Sequence, residues 1–344
     1  MKTKILKSII PAAALALTLN FSSCIGDLDV SPINPQQTME FDNDAVFNKI
    51  YASFSLTGQS GPNGNGDIDD VDEGRSGMFR SQWYLNEFTA DEAHWVWATD
   101  AGIPELLHNS WGESCVFSAA LYYRLYFTIT LCNFYLGQEG NAADQEIRNA
   151  EVRFIRAFVY YDMVFFFGDV PLITKTLSVA EARETSRQPR QEVLDFILKE
   201  LEDGVLPNIE KVAITETGRV NKQVVNAFLS RIYLHEKNYE KVLYYTNEVI
   251  KAGKYELHPS YEELFRPQAD GSNKEVIFEH QYSSPLVVHE LNRNLSPASS
   301  IYAGWSHVLG LQELVDDYEC VNGHPVSECE SLGCEYFQKR KDAE

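Results

Sequence analysis

The chain has 344 residues, enough to bury a sizeable core as one large domain or two ordinary ones. Hydrophobic residues make up 44% and charged residues 23%, which excludes a wholly disordered chain and a polytopic membrane protein. Acidic residues outnumber basic ones by 50 to 29, for a formal net charge of −21. Phosphate binding needs a basic surface, so this balance excludes nucleic acid as a partner. With 18 Tyr, 19 Phe and 5 Trp there is flat ring surface both to fill a core and to stack against a ligand.

The N-terminus reads as an export signal. Lys2, Lys4 and Lys7 form a basic start, an apolar run extends from Ile9 to Leu19, and Phe21-Ser22-Ser23 leads up to Cys24. The apolar run is too short for a permanent membrane span. Small residues ending on a cysteine predict a lipoprotein signal peptide over 1–23, with Cys24 as the acylated new N-terminus, although Phe21 stands where an aliphatic residue is usual. Residues 24–42, with Asp27, Asp29, Pro32 and Pro35, predict an extended, solvated tether.

A short helix is predicted from Asn43 to Phe54, then a loop from Gly58 to Gly77. The acids Asp67, Asp69, Asp70, Asp72 and Glu73 in that loop lack the order of an EF-hand, so a solvated acidic loop is the expectation, with calcium as the alternative. Phe117, Leu121, Leu125, Ile129 and Cys132 recur at helical spacing within a predicted helix Cys115–Leu136. A second helix from about Ala143 to Phe167, closed by Gly168, should form an antiparallel pair with it. Pro189 and Glu192 open a helix that ends near Gly204. Asn221 caps another, and Lys237-Asn238 turns the chain into a helix Tyr239–Lys251. That last pair has the look of a tetratricopeptide unit, with an ordinary helical hairpin as the alternative. Strand character is confined to Glu275–Tyr282. The expected fold class is therefore mainly α, made of tetratricopeptide-like helical pairs with long loops and little β. Cys115, Cys132, Cys320, Cys329 and Cys334 form no readable disulfide framework. Cys320, His324, Cys329 and Cys334 fit no common zinc spacing, so no metal is expected there.

Several blocks, in order, resemble the SusD/RagB family of outer-membrane nutrient-binding lipoproteins of Bacteroidetes. They are Cys24-Ile25-Gly26-Asp27-Leu28-Asp29, Asn86 to Glu92 (NEFTADE), Arg156 to Leu172 (RAFVYYDMVFFFGDVPL), Gly218-Arg219-Val220 leading into Ala227–Leu234, Glu275–Glu279, and Leu314 to Glu319 (LVDDYE). The resemblance implies a helical domain over 43–325. Residues 326–344 are unlike the family's continuation, so this stretch is expected to be an atypical tail, with the family's C-terminal part missing and helix faces left exposed.

Sugars present apolar C–H faces between hydroxyls, so their recognition calls for aromatic platforms and a few placed polar groups. Trp95 and Trp97 lie beside Asp100, Trp305 follows Ala303-Gly304, and Arg80 precedes this region. By resemblance to the family's starch-binding type, Arg80, Trp97, Asp100 and Trp305 fall on glycan-binding positions, with Trp95 beside them and Tyr302 as a substitute third aromatic. The resemblance further implies a surface-exposed lipoprotein that captures oligosaccharides, an α-glucan first, and hands them to a SusC-type TonB-dependent transporter. No cofactor fingerprint, phosphate loop or Gly-x-Ser-x-Gly elbow appears in a supporting context, and no enzyme activity is expected. Two other classes stay open: a tetratricopeptide-like scaffold for a protein partner, and, less favoured, a glycoside hydrolase using Glu87, Asp91 and Glu92.

Overall fold

The structure, a computed structural model, describes residues 42–55, 78–96, 102–140, 142–210, 212, 218–269, 271, 273–282, 295–301, 303–306, 308–320 and 322–333. The chain divides into Met1–Asp42 and Asn43–Glu344, and the elements below belong to the second unit. The signal peptide, Cys24, the tether and the acidic loop lie outside the described residues. In chain order the main elements are α1 (Asn43–Ser55), α2 (Met78–Glu87), β1 (Ala93–Trp95), α3 (Ile103–Leu107), α4 (Val116–Leu136), α5 (Gln145–Phe167), α6 (Val179–Glu184), α7 (Arg190–Lys199), α8 (Lys222–His235), α9 (Tyr239–Lys251) and β2 (Val308–Gly310). Shorter helical turns follow α9 and β2. No helix among the described residues is long and apolar enough to cross a membrane.

The helices α4 and α5 form the centre, as their periodicity predicts. Phe117, Leu121, Leu125, Ile129 and Cys132 of α4 are all buried, as are Val152, Ile155, Val159 and Met163 of α5. The pair is antiparallel: Tyr122 meets Phe167 near one end (ring centroids 5.2 Å), and Gln145 donates to Tyr135 Oη (3.2 Å) near the other. Gly168 ends α5 at φ 70°, a left-handed conformation that costs glycine little. Helices α1, α7 and α8 pack around α5, with Phe158 of α5 stacked on Phe228 of α8 at 4.6 Å.

Because α5 is covered on most sides, its polar residues need internal partners. Glu151, fully buried, accepts from Tyr51 Oη of α1 and from Arg219, and Val220 N donates in turn to Tyr51 Oη (3.2 Å). Burial pushes the Glu151 carboxyl up, against the opposing pull of Arg219 and Tyr51. The Gly218-Arg219-Val220 block noted in the sequence thus ties α1 and α5 to the start of α8. Arg156, 5% exposed, donates to Asn133 Oδ1 (2.8 Å), Thr174 O (3.3 Å) and Glu200 Oε2 (2.6 Å), and its guanidinium lies over the Phe196 ring.

The helix opened by Pro189 is α-helical only to Lys199 and continues as a π turn, Glu200–Val205, where Leu206 N reaches back to Leu201 O (3.0 Å). The turn presents Glu202 to α8 and α9. Its carboxylate accepts from Tyr233 Oη (2.8 Å), Tyr245 Oη (2.6 Å) and Lys241 Nζ (3.1 Å). Burial works against its charge, but these donors hold the carboxyl below its usual range. Asn221 caps α8 by accepting from Gln223 N and Val224 N, and the α8–α9 hairpin turns through Lys237 at φ 57°. The mainly α, tetratricopeptide-like fold is therefore present.

The strand predicted over Glu275–Tyr282 is not: the segment runs as bends. Asn273 Oδ1 accepts the Glu275 and Val276 N–H groups at 3.1 and 3.0 Å, which takes up donors a ladder would need. The strands found instead, β1 and β2, have three residues each, too short for a period-2 pattern to mark them.

Candidate functional site

Beside the helical centre, α2, β1, α3 and the start of α4 enclose a small second core of Tyr84, Phe88, Ala93, Trp95, Ile103, Leu106, Cys115 and Phe117. Tyr84 and Phe88 lie one helical turn apart and present their rings together to Trp95, at centroid distances of 5.0 and 5.6 Å with edge-to-face tilts. Gln82 Nε2 on α2 donates to Asp162 on α5 (2.6 Å), which fixes this core to the central pair. Burial pushes the Asp162 carboxyl up to about 7, against the pull of the Gln82 hydrogen bond and of Arg231.

One edge of this core is a two-stranded antiparallel ribbon in which Ala93 pairs with Gly310, His94 with Leu309 and Trp95 with Val308. Ala93 and Trp95 point into the core, while His94 and Leu309 are exposed. Leu311 N extends the pairing to Glu92 O (2.9 Å). Antiparallel strands place the exit of β1, after Trp95, and the entry of β2, before Val308, at the same end. Val96 and Trp305 therefore leave the ribbon from one edge.

The Trp305 segment is tightly constrained. Ala303 and Ser306 sit at φ 46° and 51°, a region that side-chain-bearing residues rarely adopt. Between them, buried Gly304 rests against the Ser296 carbonyl so closely that a Cβ would lie 1.9 Å from its oxygen. Ser306 N donates to the same carbonyl (3.1 Å), and Ala303 N donates to Ser300 O (3.0 Å). Trp305 is half-buried at the head of this loop.

Of the other residues singled out in the sequence, Arg80 lies on α2 with its side chain outside the described residues, and Trp97, Asp100 and Tyr302 are outside them altogether. Trp95 needs correction. At 1% exposure its ring has no face for a sugar, and it packs inside the core against Tyr84 and Phe88. Two features were missed: the Ser296 carbonyl under Gly304, for which the sequence held no signal, and Trp111 in the α3–α4 loop, which the polar, Gly-containing run Asn109–Ser114 marked as a loop tryptophan.

Glu87, Asp91 and Glu92 were the carboxylates considered for hydrolysis. Burial chiefly raises the Glu87 carboxyl, helped by the charge of Glu92 and a hydrogen bond between the two, while Trp83 donates to it in opposition.

Comparison with known proteins decides the family. Residues 28–234 match the model of a SusD-like family described as starch-binding and associating with the outer membrane. Starch-binding protein SusD of Bacteroides thetaiotaomicron is 35% identical over 282 residues, covering 78% of this chain and 50% of that protein. The chain belongs to the SusD-like family. Another SusD-like relative, protein P2 of Formosa agariphila, is 26% identical and matches 79% of the chain and 52% of its own length. The chain thus spans about half the length of these curated relatives. Among solved structures, a SusD-like carbohydrate-binding protein from Bacteroides fragilis superposes with a TM-score of 0.70 at 23% identity, covering 83% of this chain and 54% of that one. A laminarin-binding SusD-like protein superposes with a TM-score of 0.66 at 20% identity, covering 80% and 63%. These structures share the fold over 83% and 80% of this chain.

Proposed function

We propose that this SusD-like chain is a lipid-anchored protein of the bacterial cell surface that captures oligosaccharides, α-glucans first, and delivers them to a SusC-type TonB-dependent transporter. The observation that carries the binding part is the Trp305 loop. Backbone strain persists only where the surroundings impose it, and here it holds an aromatic ring at the ribbon end from which the chain also runs on toward Trp97 and Asp100. Trp305 and Trp97 supply the stacking faces in this reading, with Arg80, Asp100 and Tyr302 as orienting groups. The 35% identity to a starch-binding protein supports α-glucan as the ligand, and the transporter and cell-surface parts rest on the family.

Calorimetry of the mature chain with maltoheptaose tests the binding part. Trp305→Ala should lose on the order of 1–3 kcal/mol, by analogy with a base stacked on an aromatic ring, while its melting temperature stays near that of the parent. Unchanged affinity in a folded variant would place the site elsewhere. For the anchor, Cys24→Ala should release the protein from membranes; continued retention, with no lipid mass on the wild type, would exclude acylation.

A further inference from the structure

Trp111 is held out from the same core that supports the Trp305 ribbon. It is 42% exposed, whereas Trp83 and Trp305 are half-buried and Trp95 is covered. Its loop is braced by backbone hydrogen bonds: His108 N to Pro104 O (3.1 Å), Asn109 N to Leu106 O (3.1 Å), Ser110 N to Glu105 O (2.9 Å) and Cys115 N to Gly112 O (3.0 Å). Asn109 is left-handed at φ 51°. Both roots of the loop enter the core, through Leu106 on one side and Cys115 and Phe117 on the other. Gly102 lies against the same root: a Cβ there would be 2.5 Å from Val116 Cγ2 and 3.1 Å from the Phe117 ring. The Trp111 loop and Gly102 thus converge on Val116 and Phe117.

An indole that is left uncovered on a loop with little freedom to fold it inward is already arranged for stacking. We infer that Trp111 is an additional platform, stacking an outer sugar unit of an α-glucan and extending the Trp305 site toward longer chains. This rests on the glycan-binding reading above and adds a length preference to it.

The test is calorimetry of the mature chain with maltoheptaose and maltotriose, each variant checked by thermal melting. Trp111→Ala should weaken maltoheptaose about tenfold, the effect of one stacked ring, and leave maltotriose nearly unchanged. Trp111→Phe, with a smaller ring in place, should fall between. Wild-type affinity for maltoheptaose in either folded variant overturns the inference, as does an equal loss for both sugars. If Trp305→Ala loses maltoheptaose while Trp111→Ala and Trp111→Phe keep it, binding at Trp305 stands and only the inference falls. A wild type that ignores both sugars removes both.

Discussion

Arg156→Ala is expected to destabilise the fold by about 3–5 kcal/mol, the usual cost of removing one partner of a buried ion pair. Arg156 and Glu200 are only 6% and 14% exposed at their side chains, so water is poorly placed to replace the guanidinium. The truncation also strands Asn133 Oδ1, which accepts from Arg156 at 2.8 Å inside the α4–α5 interface. Arg153, 3.5 Å from Glu200 but 43% exposed, should recover a minor part of the loss. Urea denaturation measures the effect directly. The double variant Arg156→Met with Glu200→Met, which leaves no uncompensated charge, should regain most of the stability. If Arg156→Ala unfolds within about 1 kcal/mol of the parent, the Arg156 network contributes little to the stability of the fold.

Gly304→Ala is expected to remove maltoheptaose binding at least as completely as Trp305→Ala does. The added Cβ would stand 1.9 Å from Ser296 O, 2.5 Å from Ser296 C and 2.7 Å from Ser296 Cβ, and two of these are backbone atoms that no rotamer change can move. The loop must therefore shift as a unit, taking the indole out of register with the ribbon. Because the core of α4, α5 and α8 is built from residues of those helices, the melting temperature should fall far less than in Arg156→Ala. Calorimetry paired with melting checks both halves. Retained affinity would show that the approach of Gly304 to Ser296 does not set the position of Trp305.

The helices were legible because their signals are local. The spacing of Phe117, Leu121, Leu125 and Ile129, and the Asn221 cap, specify their elements from within a few neighbouring residues. The π turn at Glu200–Val205 was not legible: its sequence continues a helical pattern, and the change of pitch places Glu202 under two tyrosines brought from α8 and α9. Glu275–Tyr282 misled in the opposite direction. Its β-branched and aromatic residues fit a strand, but strand formation needs a partner, and the Asn273 side chain took two of its N–H groups. At the site, Trp305 could be named from its loop and from resemblance, whereas the burial of Trp95 depends on Tyr84 and Phe88 closing over it, a tertiary fact.

The ribbon has a consequence for how this protein comes into being. Ala93 and Gly310 are paired although more than two hundred residues apart in sequence. Closing so long a loop is entropically demanding, and two strands of three residues return few hydrogen bonds for it. The intervening helical pairs, rich in local contacts, are thus free to form first and bring the strand ends within reach. During synthesis the helical body can exist before β2 has been made, with the aromatic ring of β1 waiting for its lid. Competence to bind would then arrive as a late event, coupled to a single closure, and a chain caught before it would be folded in the main and empty-handed.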